Sequence, residues 1–214
     1  GWWAADRYGG GGLLVYGAAA HVSMHRSAIL GCGSKESGGA IDVFRGTLRL
    51  VASVVANNSA YGGGGLNLYF SPRVELVDSE VVGNVATGGD GGGIFTWGTQ
   101  LFLNRTRLAA NRALSTGAFA GQGGGIFNFG GDVRMRECVL EGNAAATTGG
   151  ALHNRFLVNG SGAGEVATAV LVDTRIEGNS AHTGAAVYNY GGIVPFLCET
   201  RRSQRCALGS RLSL

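Results

Sequence analysis

The side chains of this sequence that could do chemistry are its aspartates, histidines and cysteines, and their spacing limits what they can do. Paired carboxylates would serve glycoside hydrolysis, and clustered aspartates with a basic residue would serve a polysaccharide lyase. The aspartates are Asp6, Asp42, Asp78, Asp90, Asp132 and Asp173. No repeat unit places two of them at alternating strand positions, and the four histidines (His21, His25, His153, His182) share no column. We therefore expect no catalytic residue, cofactor or enzyme activity, with a carbohydrate-active β-helix enzyme (polysaccharide lyase or hydrolase-like) as the alternative.

The elements that position these residues come from a block that recurs six times. Its copies are VSMHRSAILGCGS (22–34), LRLVASVVANNSA (48–60), VELVDSEVVGNVA (74–86), LFLNRTRLAANRA (101–113), VRMRECVLEGNAA (133–145) and AVLVDTRIEGNSA (169–181). One column of the block is Asn58, Asn84, Asn111, Asn143 and Asn179, with Cys32 in the first copy. A second column, five residues earlier, is Ser27, Ser53, Ser79, Thr106 and Thr174, with Cys138 in the fifth copy. The constant offset between the columns indicates structural repeats.

The block predicts strands rather than helices. Apolar residues alternate at period two in short runs, and Gly, Asn and Ser separate the runs. Gly is 40 of 214 residues and charged residues are only 14%, against about 25% in ordinary domains. We predict an all-β, right-handed parallel β-helix of about six to seven coils over residues 9–192, with stacked Asn and Ser/Thr ladders. Residues 1–8 are expected to be an N-terminal cap or docking segment, and residues 193–214 a basic C-terminal cap or tail.

An aromatic column accompanies each repeat, three positions after an aliphatic residue. Its members are Tyr16, Phe44, Tyr69, Trp97, Phe129 and Tyr190. Arg155 interrupts it. If each strand stays regular, an offset of three places these rings on the face opposite the inward aliphatics. They would then form a stripe suited to sugar rings or to a protein partner. The alternative is that Asn128, Asn154 and Asn189 mark a turn and the aromatic residues cover a corner.

The residue before each Ser/Thr position forms a further row, in which Asp78, Arg105 and Glu137 alternate in charge. Glu137 and Asp173 would be stacked neighbours, either as two solvated carboxylates or as a weak candidate for sharing Ca²⁺. Cys32 and Cys138 lie four coils apart, too far for a disulfide, and are expected to be buried free thiols. A bridge between Cys198 and Cys206 is predicted, and it would require an oxidising compartment.

Two insertions interrupt the repeats, around residues 114–122 and 154–164. Insertions map to loops, which carry function more often than the coils do. Each insertion is either a partner-binding candidate or tolerated variation in length. Asn159 lies in the second insertion within an Asn-Gly-Ser sequon, so it is a glycosylation candidate if the source is a eukaryote.

The charge distribution and the apolar runs exclude two function classes. The net charge of +3 arises in residues 195–214. The rest of the chain therefore has no excess of positive charge of the kind that binds nucleic acid. No apolar run reaches the length of a transmembrane segment. Because the chain begins at Gly1 without a signal segment, we expect a processed product or a piece of a longer protein.

The repeats resemble those of polymorphic outer-membrane proteins, which carry a Gly-Gly-Ala-Ile element and a Phe-x-x-Asn element. The second element appears here as Val81-x-x-Asn84, Leu108-x-x-Asn111, Leu140-x-x-Asn143 and Ile176-x-x-Asn179, with an aliphatic in place of Phe. The resemblance covers about residues 9–192 and implies a cell-surface or extracellular β-helix that is often adhesive. The expected function is a non-catalytic structural or adhesive module that binds a glycan or other protein subunits of a larger assembly.

Overall fold

The computed structural model describes residues 9–116, 120–158, 164–197 and 208–209 of the chain. Within these ranges every regular element is a β-strand, and no helix occurs that is long and apolar enough to cross a membrane. The strands form three long parallel sheets, one short parallel sheet and one hairpin. The predicted all-β parallel solenoid is confirmed.

The first sheet contains one strand from each of seven successive coils. Its strands, in spatial order, are β1 (Leu13–Tyr16), β4 (Ile41–Phe44), β8 (Leu66–Tyr69), β12 (Ile94–Trp97), β16 (Ile126–Phe129), β20 (Leu152–Arg155) and β25 (Val187–Tyr190). Neighbouring strands pair in parallel and in register, so that Ile94 pairs with Leu66 on one side and Ile126 on the other. Equivalent positions of successive coils therefore stack along the solenoid.

The second and third sheets continue each coil around the core. The second contains β2 (His21–His25), β5 (Thr47–Val51), β9 (Arg73–Val77), β13 (Gln100–Asn104), β17 (Asp132–Arg136), β23 (Thr168–Val172) and β26 (Phe196–Leu197). The third contains β3 (Ala28–Leu30), β6 (Val54–Ala56), β10 (Glu80–Val82), β14 (Arg107–Ala109), β18 (Val139–Glu141), β24 (Arg175–Glu177) and β27 (Leu208–Gly209). Strands β26 and β27 extend these two sheets beyond residue 192.

A short fourth sheet completes the middle coils, and the second insertion forms a hairpin. The fourth sheet contains β7 (Ser59–Ala60), β11 (Val85–Ala86), β15 (Arg112–Ala113) and β19 (Ala144–Ala145). The hairpin pairs β21 (Leu157–Val158) with β22 (Gly164–Glu165) in antiparallel fashion. Asn159, the Cys198–Cys206 pair and the segment 1–8 lie outside the described residues, as does part of the first insertion.

The core is a stack of apolar layers, one layer per coil. In the second coil, the inward positions are filled by Ile41 and Val43 from the first sheet, Leu48 and Leu50 from the second, and Val55 from the third. All five are at most 1% exposed. Burying each such side chain stabilises the fold by about 1.5–3 kcal/mol.

The coils turn at corners where non-glycine residues adopt the left-handed conformation. The row before the Ser/Thr column lies at one corner, with φ between 46° and 53°: Arg26, Ala52, Asp78, Arg105, Glu137 and Asp173. The backbone N–H of each donates to a carbonyl of the next coil, as from Asp78 to Asn104. This inter-coil bond fixes the corner despite a backbone cost of about 1–2 kcal/mol per residue.

The Asn column forms a buried hydrogen-bonded ladder at the next corner. The Nδ2 atom of Asn84 donates to Oδ1 of Asn111 at 3.0 Å and to the carbonyl of Val55 at 3.0 Å. The same pattern repeats from Asn58 to Asn84, from Asn111 to Asn143 and from Asn143 to Asn179. Each amide thus joins three coils, and the ladder replaces the water that these polar groups lose on burial.

The Ser/Thr column is also stacked, but its hydroxyls bond to the backbone. Ser53 Oγ donates to the carbonyl of Val51 at 2.8 Å and accepts from the N–H of Ser27 at 3.2 Å. Thr106 Oγ1 lies 3.0 Å from the carbonyl of Leu76 and 3.1 Å from that of Asn104. Because these carbonyls lie at the corner, the hydroxyls satisfy backbone groups that the sheets leave open.

Candidate functional site

The outward face of the first sheet carries a continuous row of aromatic side chains, here called the aromatic row. It comprises Tyr16, Phe44, Tyr69, Trp97, Phe129, Arg155 and Tyr190, which are consecutive register partners. Thr96 and Asn128, one position earlier, are fully buried. The strands therefore remain regular, and the rings lie on the outer face rather than covering a turn.

The rings of the aromatic row contact one another along the solenoid axis. Ring centroids are 5.3 Å apart for Tyr16 and Phe44, 5.8 Å for Tyr69 and Trp97, and 5.2 Å for Trp97 and Phe129. These are the spacings of favourable offset and tilted aromatic pairs. Tyr16 and Tyr190 at the two ends are more than half exposed, and the central rings are half-buried. The row therefore offers a broad accessible aromatic surface.

Arg155 continues the aromatic row instead of breaking it. Its guanidinium carbon lies 5.6 Å from the ring centroid of Phe129 and 5.9 Å from that of Tyr190. A guanidinium plane stacks on aromatic faces by a cation–π interaction. Arg45, at the corner after Phe44, makes the same kind of contact at 5.1 Å. Two cationic groups thus belong to this face.

A second outward column lies beside the aromatic row, two residues earlier on each strand. Its members are Leu14, Asp42, Asn67, Phe95, Phe127, His153 and Tyr188. Phe95 stacks on Phe127 at 5.4 Å, and His153 lies 4.9 Å from both Phe127 and Tyr188. This column is more buried than the aromatic row, since Phe127 is 4% exposed and His153 is 3% exposed.

Burial shifts the titration of the polar members of this second column. Desolvation, together with the nearby charge of Arg155, lowers the pKa of His153 to about 4. Its Nδ1 atom lies 2.7 Å from Oγ1 of Thr148, so the neutral ring is held in place. Burial raises the pKa of Asp42, although Ser37 and Asn67 donate hydrogen bonds to its carboxylate at 2.8 and 3.0 Å.

A cleft of about 540 Å³ opens between this face and the turns that lead into the first sheet. Its walls include Glu36, Tyr61, Asn67, Tyr69, Asp90 and Phe95. Burial raises the pKa of Asp90 to about 6, even though its carboxylate accepts a hydrogen bond from the N–H of Gln122 and is influenced by the charge of Arg155. Aromatic walls with a few polar groups are typical of ligand sites.

The second sheet carries a smaller groove of about 330 Å³ around Phe102. The guanidinium carbons of Arg73 and Arg134 lie 4.9 and 5.8 Å from the Phe102 ring. These two arginines also pair with Glu75 and Asp132, respectively. The charges of this groove are thus largely neutralised within the protein, in contrast to those of the aromatic face.

The corner row places opposite charges next to one another. Arg105 Nε lies 2.6 Å from Oδ1 of Asp78, and its second amino group lies 2.9 Å from Oδ2. The Arg105 hydrogen bonds hold the pKa of Asp78 below its usual value. Glu137 follows on the next coil, 3.3 Å from Nε of Arg136, and Asp173 occupies the same corner one coil further. Among the residues that the structure describes, no group of three or more His, Cys, Asp or Glu could hold a metal ion.

The two cysteines in the described ranges are free thiols. Cys138 is 1% exposed, and burial raises its pKa to about 11. Cys32 is only half-buried because it belongs to the first coil of the stack. Its backbone N–H donates to Oδ1 of Asn58 at 2.8 Å, which continues the Asn ladder by one step.

Sequence reasoning found the aromatic row but missed the second column and the cleft. The second column could have been found, because its members directly follow the aliphatic residue that begins each strand of the first sheet. The cleft has no such signal. Glu36 and Asp90 come from turns of different coils and of different lengths, and only the folded structure brings them to one cleft.

Comparisons with known proteins do not identify a relative. No protein-family model, curated protein or solved structure matches this chain. The geometry of the aromatic face therefore carries the functional argument.

Proposed function

We propose that this protein is a non-catalytic adhesive module that binds glycans through the aromatic row of the first sheet. The observation that carries the proposal is the half-exposed row from Tyr16 to Tyr190, which has one aromatic ring in each of six coils and the guanidinium of Arg155 in the remaining one. The C–H faces of a pyranose carry partial positive charge and pack on the negative faces of aromatic rings. A row with a repeat of about 4.8 Å matches an extended chain lying along the solenoid axis.

The polar groups beside the row support a glycan over a purely apolar partner. Asn67, Glu36 and Asp90 line the adjoining cleft and offer hydrogen-bond donors and acceptors next to Tyr69 and Phe95. Glycan hydroxyls need such partners, since an unpaired polar group loses free energy when it leaves water. The proposal includes a cell-surface or extracellular assembly with other protein subunits, and the resemblance of the repeats to those of polymorphic outer-membrane proteins supports this part of it.

A glycan array tests the proposal directly. We expect the wild-type protein to bind a defined subset of glycans, and Trp97→Ala to weaken binding about five- to 150-fold, since one stacking ring contributes about 1–3 kcal/mol. Phe102→Ala removes a ring from the second sheet and is the matched control. Absence of glycan binding would overturn the proposal, as would a protein ligand that depends on Trp97 while no glycan binds.

A carbohydrate-active enzyme is the second candidate, and Asp90 favours it. A carboxyl group with a pKa of about 6 in an aromatic cleft is protonated in part near neutral pH, as a general acid must be. Release of reducing ends from polysaccharides that is lost in Asp90→Asn and retained in Asp132→Asn would establish this second function. Binding of a polysaccharide without release of reducing ends would favour the adhesive module over the enzyme.

A further inference from the structure

The arginines of the aromatic face differ from those of the other faces in what they contact. Seven arginines of the described residues lie within 4 Å of a carboxylate: Arg49, Arg73, Arg105, Arg107, Arg134, Arg136 and Arg175. Arg26, Arg45, Arg112 and Arg155 have no such partner among the residues that the structure describes, and the two of these that lie on the aromatic face are Arg45 and Arg155. Both stack on rings of the aromatic row.

The surroundings of Arg155 leave its charge available. Its positive charge acts on Asp90, where it opposes the rise in pKa that burial causes, and the two residues do not form an ion pair. His153, two residues earlier, is neutral above about pH 4 because burial lowers its pKa. Asp42 is fully buried and its carboxylate is already bonded to Ser37 and Asn67, so it does not neutralise Arg45.

We propose that the aromatic face selects anionic glycans, whose carboxylate or sulfate groups pair with Arg155 and Arg45. This inference rests on the proposed glycan binding and specifies the ligand class. Positions 44 and 155 of the row are four coils apart, which is about 19 Å at about 4.8 Å per coil. An acidic oligosaccharide of several sugars spans that length, stacking on Tyr69, Trp97 and Phe129 while its charged groups reach the arginines.

The physical argument is one of charge complementarity. A guanidinium presents donors in a fixed fork that fits carboxylate and sulfate oxygens. Stacking on Phe129 and Tyr190 holds the Arg155 group in place, so less side-chain entropy is lost when an anion binds. A neutral glycan would gain the stacking and the hydrogen bonds of the cleft but would leave the two arginines without a counter-ion.

The test compares three probes by titration calorimetry: an oligogalacturonate, a heparin-derived oligosaccharide, and the oligogalacturonate after its carboxyl groups are reduced to alcohols. We expect one or both acidic probes to bind at least tenfold more tightly than the reduced probe, and the stronger of the two identifies carboxylate or sulfate as the preferred group. Arg155→Gln is expected to weaken acidic binding about tenfold, and Arg45→Gln to weaken it as well. Arg155→Lys, which keeps the charge, should retain part of the affinity.

Arg49→Gln is the matched control, because it removes the same charge from the second sheet. Thermal unfolding of each variant shows whether it is folded. Because Arg45 is exposed, its substitution is not expected to disturb the fold. Equal binding of the acidic and reduced probes, still dependent on Trp97, would overturn the anionic selectivity while leaving glycan binding intact. Binding of none of the three probes, together with an empty glycan array, would overturn both proposals.

Discussion

The side-chain amide of Asn84 donates from Nδ2 to Oδ1 of Asn111 at 3.0 Å, in a column where both residues are fully buried. Oδ1 of Asn84 in turn accepts from the backbone N–H and from Nδ2 of Asn58, each at 3.0 Å. This ladder fixes the stacking of successive coils. The flat first sheet, and with it the spacing of the aromatic row, depends on that stacking.

Removing one amide from the ladder should destabilise the solenoid strongly. Asn84→Ala leaves Asn58, Asn111 and the carbonyl of Val55 without their partner in a buried site. A fully unpaired group costs about 1–3 kcal/mol, but Asn58 keeps its bond to the carbonyl of Ile29 and Asn111 keeps the backbone N–H of residue 84. We therefore expect a total loss of about 2–5 kcal/mol in the free energy of unfolding, less than three fully unpaired groups would cost. Urea denaturation measures the loss. Asn104→Ala, on the outer face of the second sheet, should change stability by less than about 0.5 kcal/mol, and equal losses in the two variants would contradict the ladder's role.

Two glycine substitutions should separate backbone strain from steric exclusion. At Gly142, φ is +60° and a Cβ would meet nothing within 4 Å, so Gly142→Ala should cost about 1 kcal/mol through conformation alone. A Cβ at Gly92 would lie 2.5 Å from the carbonyl carbon of Arg112 and the carbonyl oxygen of Gly124. Gly92→Ala must push two coils apart and should cost about 3 kcal/mol. Thermal unfolding of both variants tests whether Gly92→Ala loses more stability than Gly142→Ala. The reverse order would show that neighbouring coils can make room for the added Cβ.

The buried imidazole of His153 makes stability depend on pH in a predictable direction. Its pKa is about 4 in the folded protein and 6.5 in the reference state, so the unfolded chain binds more protons between these values. The stability of the wild type should therefore fall, relative to His153→Phe, as the pH decreases from about 6.5 to about 4. Comparing the two proteins cancels the opposite contributions of Asp42 and Asp90. A His153→Phe profile parallel to the wild type would contradict the assignment.

The ion pair between Arg105 and Asp78 should contribute little to stability. Their side chains are 49% and 46% exposed, so water and salt screen the interaction. A double-mutant cycle with Arg105→Gln and Asp78→Asn should give a weak coupling that decreases further as salt is added. A strong coupling that is insensitive to salt would show that the corner row is a structural determinant rather than a surface feature.

The constant spacing of the repeats was sufficient to predict the fold class and its columns. The five-residue offset between Ser79 and Asn84 recurs because both positions must stack in every coil, and such stacking is visible in one sequence. A second ladder, from Asn128 through Asn154 to Asn189, was not predicted as such. Its first bond, of 2.8 Å, is buried, and its second, of 2.9 Å, ends at the exposed Asn189. The same position holds Thr96 and Leu68 in earlier coils, which hides the column.

The chemistry of the aromatic face was less accessible to sequence reasoning. In the sequence, Arg155 interrupts an aromatic column. The pattern of residue types does not reveal that its guanidinium stacks between the rings of Phe129 and Tyr190. The left-handed conformation of Ala52 and Arg105 is likewise invisible, since residues other than Gly, Asn, Asp and His rarely adopt it. Each of these features depends on contacts between coils rather than on local preference.

The most direct test of the account is amide NMR of the protein titrated with the acidic oligosaccharide that binds best. We expect the largest shift changes in β8, β12 and β16, around Tyr69, Trp97 and Phe129, with small changes in β9, β13 and β17 of the second sheet. Largest changes around Phe102, or changes confined to the insertions, would contradict glycan binding on the aromatic row.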